Sequence, residues 1–313
     1  MGKTSIGKYL KYLNRTLALD TEPSTRIEKY VLKTFRVDIS IFVTPGQKRF
    51  RKMNQECLCQ IIDQDTIIYY VIDASADAPY LKSMLEDYLK LATLVDKLAE
   101  NKKMGKITIA LLAHKRDLPQ AIDGEKILKE FILRLERKMQ HLALYVFNTS
   151  IYLPETLLRV FRETIFSKIF PMDSINDIVG VIKRITNSDA VVVSDTMGFP
   201  IATCGDGPIT TWLSVFPTKI IASFDQERNM IREYQRELWI KIFDTKNDER
   251  IFIDMLLEMP PNKRIYFHIV NINSNFICLS MYNPKNTIEI LRETAKNFAE
   301  KIYDLFSNLP SFK

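Results

Sequence analysis

At 313 residues, with 46% hydrophobic and 26% charged residues, the chain has the size and balance of two ordinary globular domains, which excludes a disordered or fibrous protein. A net charge of +6 spread along the sequence gives no block that requires nucleic acid, and four scattered cysteines (Cys57, Cys59, Cys204, Cys278) build no disulfide framework and point to a reducing compartment. No apolar run reaches the length of a membrane span and the amino-terminal residues lack a signal region, so the expected location is cytoplasmic.

The first element is Gly2-Lys3-Thr4-Ser5 running into Ile6-Gly7-Lys8-Tyr9-Leu10, which reads as the end of a phosphate-binding loop entering a helix. In such a loop Lys3 reaches the β- and γ-phosphates and the Thr4 hydroxyl binds Mg²⁺. The strand and most of the loop that belong ahead of Gly2 are expected to be missing, as in a truncated start. That would leave a gap in the sheet and weaken nucleotide binding. The bland alternative is an exposed lysine at a helix start, since Gly-Lys-Ser/Thr is a short pattern.

Asp20-Thr21-Glu22-Pro23-Ser24-Thr25 is a turn-rich polar loop, and residues 27–43 alternate as two antiparallel strands. Val43-Thr44-Pro45-Gly46-Gln47 follows, then the basic cluster Lys48-Arg49-Phe50-Arg51-Lys52, most simply the solvated face of a helix. Thr66 to Asp73 reads as a buried strand ending in an acid, and Leu81 to Glu100 as a long helix by its 3.6-residue period. Ile107 to Ala113 is apolar on both faces, the pattern of a central parallel strand, and stops at His114-Lys115-Arg116-Asp117. Ligands of open α/β sheets bind beyond such carboxyl ends. There the Asp117 carboxylate can accept two hydrogen bonds, which suits the ring N–H and exocyclic amine of guanine, while the Lys115 stem can lie along the base. A helix over 124–140, a strand from Leu142 to Phe147 and a helix over 154–170 complete this half. Alternating strands and helices predict a mostly parallel, doubly wound α/β sheet.

Residues 173–185 read as an amphipathic helix, 189–195 and 199–204 as a hairpin, and 219–243 as a long helix. Three strands near 251–258, 264–270 and 275–281 and a helix over 285–306 make an antiparallel α+β pattern. Other chemistries find no support. His114, His141 and His268 are too scattered for a metal site, and neither a nucleophile elbow nor a Gly-x-Gly-x-x-Gly fingerprint is present.

Taken in order, Gly-Lys-Thr, Pro-Gly-Gln, His-Lys-x-Asp and Asn148-Thr149-Ser150-Ile151-Tyr152 resemble the motifs of Ras-like P-loop GTPases, and His-Lys-x-Asp with Thr-Ser-Ile is similar to the Rag/Gtr family. The resemblance implies a Ras-like GTPase domain over 1–170 and a roadblock/longin-like dimerisation domain over 171–313. It implies GTP/GDP and Mg²⁺ as ligands. Gly2, Lys3, Thr4, Ser5, Thr25, Gly46, His114, Lys115, Asp117, Thr149, Ser150 and Ile151 then contact nucleotide, with Thr4 and Thr25 on the metal and Gln47 orienting the attacking water. The implied function is a slow, regulatory GTPase switch. Its implied partners are a roadblock-containing protein or a second Rag-like GTPase, as homo- or heterodimer, with regulators and effectors that carry any membrane association. One departure matters: Val43 stands where the family has a metal-linked aspartate, and valine cannot hold a metal's water shell. This leaves open a pseudo-GTPase or scaffold that dimerises without efficient hydrolysis, and a purely structural subunit.

Overall fold

The computed structural model describes residues 2–13, 18–19, 24–34, 37–46, 48–195, 197–226, 239–242, 251–259, 262–272 and 275–307. The chain forms two compact units, one of Met1–Leu32 with Ser40–Ile165 and the other of Lys33–Ile39 with Phe166–Lys313. Its described residues make a mixed α/β protein with a three-stranded parallel sheet, a six-stranded antiparallel sheet and a separate two-stranded one. No helix among the described residues is long and apolar enough to cross a membrane.

Helix α1 (Lys3–Tyr12) of the first unit precedes strands β1 (Glu28–Thr34) and β2 (Val37–Val43), which pair with each other and whose residues 33–34 and 37–39 are counted with the second unit. Helix α2 (Arg51–Ile61) leads to the parallel sheet β3 (Ile67–Asp73), β4 (Ile107–His114) and β5 (Leu142–Thr149), in the order β3-β4-β5. Every residue of β4 is buried, as its two-sided apolar run requires. Helix α3 (Ala78–Asn101) crosses between β3 and β4. Its first turn is capped by Asp77, whose carboxylate accepts from the Tyr80 N–H at 2.9 Å. Tyr88, Ala92, Val95 and Ala99, spaced on one face, bury against Ile107, Ile109 and Leu111.

Two helices differ from the sequence reading. The expected helix over 124–140 is two pieces, α4 (Gly124–Ile127) and α5 (Lys129–Glu136), hinged at Leu128, which turns inward and is buried. The helix over 154–170 begins as α6 (Pro154–Phe161) and then widens into a π-turn over Arg162–Phe166. Thr164 sits in that turn; its hydroxyl donates back to the Val160 carbonyl at 2.8 Å and bonds the Tyr69 hydroxyl at 2.7 Å. Among the described residues, the β1–β2 pair and the parallel sheet form separate ladders. Strand β3 therefore ends its sheet with its apolar residues Ile67 to Val71 only half buried.

The second unit contains helix α7 (Met172–Thr186), strands β6 (Ala190–Asp195) and β7 (Pro200–Cys204), helix α8 (Gly207–Gln226), strands β8 (Trp239–Ile242), β9 (Ile251–Met259), β10 (Lys263–Ile272) and β11 (Asn275–Tyr282), and helix α9 (Ile288–Ser307). The antiparallel sheet runs β7-β6-β11-β10-β9-β8. Alternation along the strands divides the core. Ala190, Val192, Ile265, Phe267 and Cys278 meet Leu213 of α8, while α7 and α9 pack on each other and on β6, β7 and β10. Here the helix expected over 219–243 is corrected. It starts twelve residues earlier, at Gly207, because Leu213, Ile209 and Phe216 supply its sheet-facing side. Trp239-Ile240-Lys241-Ile242, read as part of it, is instead a strand in register with β9 from Glu258 to Met255.

Candidate functional site

The register of the parallel sheet lines up Asp73, His114 and Thr149 side by side at the carboxyl ends of β3, β4 and β5. Around this edge the chain gathers most of the residues singled out from the sequence. His114 is buried, and its Nδ1 lies 3.1 Å from the Thr149 hydroxyl. Lys115 takes a left-handed backbone (φ 68), which turns its side chain toward Asp73, and the two form an ion pair. Burial opposes ionisation of Asp73, but the Lys115 ammonium and two hydrogen bonds from Ser75 hold its carboxyl below the usual range. The Ser150 hydroxyl donates to Oδ1 of Asp117, fixing the orientation of an otherwise exposed carboxylate. Ser150 is itself fixed: its N–H donates to the Thr156 hydroxyl at 3.0 Å, and its hydroxyl oxygen accepts from the Tyr152 N–H at 3.0 Å. Thr149 and Ile151 flank it, both buried.

Beneath this loop lies a support the sequence reading did not single out. The Asn148 amide oxygen accepts from the Gly124 and Glu125 N–H groups at 2.8 and 3.3 Å, and its NH₂ donates to Asp123 at 2.7 Å. Gly124 is required there, since a Cβ would sit 2.4 Å from that of Ala113. Asp73 was likewise missed as a site residue. Its signal was available in the strand ending, but its partnership with Lys115 depends on a register that only pairing fixes.

The start of α1 reaches the same edge. Gly2 has φ 126, and a Cβ on it would lie 2.7 Å from Cδ2 of His114, so only glycine fits. Lys3 follows, with burial pushing its ammonium pKa down; its Nζ is 3.4 Å from where a Gly46 Cβ would be. A helix amino terminus, a lysine and a glycine loop thus converge, an arrangement suited to phosphate oxygens. Thr4 and Ser5 lie half buried in the first turn of α1, and Thr25 is exposed in a bend ahead of β1. Gln47 lies outside the described residues.

Val43 is buried: its Cγ2 would be 2.7 Å from a Cβ on Gly7, with the Tyr30 ring at 3.1 Å. The side chain thus fills the space beside α1 that the missing Cβ of Gly7 leaves, with the Tyr30 ring also close to that point. Asp38 is exposed on β2, and the described residues contain no group of three His, Cys, Asp or Glu able to hold a metal ion. The Asp117 carboxylate and the Lys3 ammonium have the chemistry a guanine base and phosphates require; for Mg²⁺ the described residues of this edge offer the Thr4 hydroxyl and no carboxylate at Val43, while Thr25 is exposed.

The site carries a pH signature. Burial drives the His114 imidazole down to about 4, against the opposing pull of Asp117. Its pKa is thus below the unfolded value near 6.5, so the neutral ring's stability is intact above pH 6.5 and is lost as pH falls toward 4. The slope in that window is at most about 1.4 kcal/mol per pH unit. Urea midpoints between pH 4 and 7 should fall more steeply for the wild type than for His114→Asn; parallel profiles would refute the assignment.

No protein-family model and no curated protein matches the chain. Among solved structures it is similar to Myxococcus xanthus MglB, at 15% identity and TM-score 0.30 over 46% of this chain and 95% of that one. It is also similar to the signal recognition particle receptor SRb-GTP/SRX complex from Chaetomium thermophilum, at 14% identity and TM-score 0.36 over 42% of this chain and 74% of that one.

Proposed function

We propose that the first unit is a guanine-nucleotide switch of the Rag/Gtr kind. The observation that carries this reading is the pairing of an Asp117 carboxylate fixed by Ser150 with a Lys115 pinned to Asp73, on the same edge as Lys3 and Gly46. In this reading Asp117 accepts the two guanine donors, the Lys115 stem lies along the base, Lys3 neutralises the β- and γ-phosphates, and the Gly46 N–H senses the γ-phosphate. Thr4 and Thr25 are the candidates to hold Mg²⁺, which when bound neutralises phosphate charge.

The buried Val43 favours a variant of the same reading, a switch that binds nucleotide and turns it over poorly. The second unit then serves to pair with another roadblock-like domain, and among the described residues the strands at its sheet ends are β7 and β8. Competition against a fluorescent GDP analogue tests the base choice. GDP and GTP should displace it at least about tenfold more effectively than ADP and ATP, since an adenine leaves Asp117 facing a lone pair. Equal displacement by both bases would defeat the proposal.

A further inference from the structure

We infer that Glu125 is a positioning residue for the base-reading loop: it fixes Asn148 to the start of α4, takes its own orientation from Arg159 of α6, and so sets how long a guanine nucleotide stays bound. The inference rests on the nucleotide reading above and names what steadies that site. The first observation is where the Glu125 carboxylate stands. Its Oε1 accepts from the Asn148 N–H at 2.9 Å and from the Arg159 guanidinium at 3.2 Å. The Asn148 amide oxygen in turn accepts from the Gly124 and Glu125 N–H groups. Residues 124–125 and 148 thus exchange three hydrogen bonds, immediately before Thr149 to Ile151.

The second observation is that α6 holds the same run of residues. The Thr156 hydroxyl accepts from the Ser150 N–H, and Arg159 lies three residues further along, on the same helix face. Arg159 also pairs with Glu163 at 2.8 Å, and its guanidinium stands 5.6 Å from the centre of the Phe147 ring. Asn148 and Ser150 are therefore tied to one face of one helix, the first through Glu125 and the second directly. Between them Thr149 meets His114, and Ser150 orients Asp117. Freeing Asn148 loosens the residues that aim the base-reading carboxylate.

Magnitudes rank the two partners. The Arg159 and Glu125 side chains are 45% and 32% exposed, which leaves little net energy in the ion pair itself. The bond from the Asn148 N–H to a carboxylate is roughly twice as strong as one to a neutral acceptor. Glu125 therefore carries the larger effect, and Arg159 a smaller one by holding the carboxylate in place. The simpler role is an edge cap, since β5 ends its sheet among the described residues and charged side chains blunt such edges. The chain contains a control for that role. Glu136 accepts from the Leu144 N–H at 3.3 Å, four residues back along β5 and away from the loop.

Release of a fluorescent GDP analogue from the full chain, chased with unlabelled GDP, tests the inference. Glu125→Ala should release it about tenfold faster. Glu125→Gln, whose amide oxygen still accepts from Asn148, should stay within about threefold of the wild type, as should Arg159→Met. Glu136→Ala should release at the wild-type rate. The GDP-over-XDP preference should be the same in all four, because Asp117 keeps its two acceptors. Unchanged release in Glu125→Ala, or a loss as large in Glu125→Gln, would overturn the positioning role. Equal acceleration in Glu136→Ala would overturn it by showing a general edge cap, and a changed base preference by placing Glu125 at the base. In the nucleotide-free chain, Glu125→Ala should speed amide hydrogen exchange over 148–151 by about tenfold while β3 and β4 keep their protection. Unchanged exchange would overturn the clamp whatever the ligand, and exchange quickened throughout the unit would do so by showing a merely structural residue. If the wild type binds no guanine nucleotide, the switch reading and the effect on release fall together, while exchange in the free chain still decides the clamp.

Discussion

Replacing Asp117 by asparagine is expected to invert base preference, lowering affinity for guanine nucleotides by roughly 100-fold and raising that for xanthine nucleotides above it. The carboxylate accepts from both N1–H and the exocyclic amine of guanine, whereas an asparagine amide presents one acceptor and one donor. Xanthine has a carbonyl in place of that amine, which the new donor satisfies. The Ser150 hydroxyl bonds Oδ1 of Asp117 and can keep bonding the amide oxygen, so the loop should survive the exchange. The reading is specific because Lys115 is tied to Asp73 and not to Asp117. Titration of GDP and XDP against both proteins decides it. A GDP-over-XDP preference unchanged by the substitution would remove Asp117 from the base site.

The second large effect is expected in the other unit. Phe267→Ala should destabilise it by about 3–5 kcal/mol. Phe267 is fully buried on β10 and packs 5.7 Å, centroid to centroid, from Phe216 of α8, within a cluster that includes Leu213, Ile265 and Met255. Removing the ring leaves a cavity in the layer that joins α8 to the sheet, and β10 is central enough that neighbouring strands cannot collapse into it. For a unit of this size the midpoint should fall by roughly 10 °C or more. Both tryptophans of the chain, Trp212 and Trp239, lie in this unit, so their fluorescence follows it alone. Trp212 stacks on Phe216 at 4.7 Å, which places the reporter next to the damage. A shift of less than about 2 °C would mean the layer is not closed by Phe267.

Much of the site is legible in the sequence because its parts are local. His114 to Asp117 and Thr149 to Ile151 each follow directly on an apolar run, and a strand apolar on both faces can only be central, with its carboxyl end facing the ligand side. Local periodicity likewise gives α3 and α7, whose buried faces repeat at 3.6 residues, and apolar runs give β10 and β11, which are buried on both faces over 265–270 and 277–281. It misplaces α8, which starts at Gly207 with Pro208 in its opening turn and Pro217 buried inside it. Trp239 to Ile242 is too short to show a period of its own and becomes a strand through its partner β9.

Long-range contacts are what the sequence could not hold. The choice of Asp73 as the partner of Lys115 depends on strand register across 42 residues of chain. Val43 reads in sequence as the loss of an acid. In three dimensions it is also the gain of a packing wedge that Gly7 must leave room for. Residue type and local pattern thus determine which chemistry is available at each loop. Only pairing and packing decide which side chains meet, because a hydrogen bond or an ion pair is set by distances of a few ångströms that no local propensity encodes.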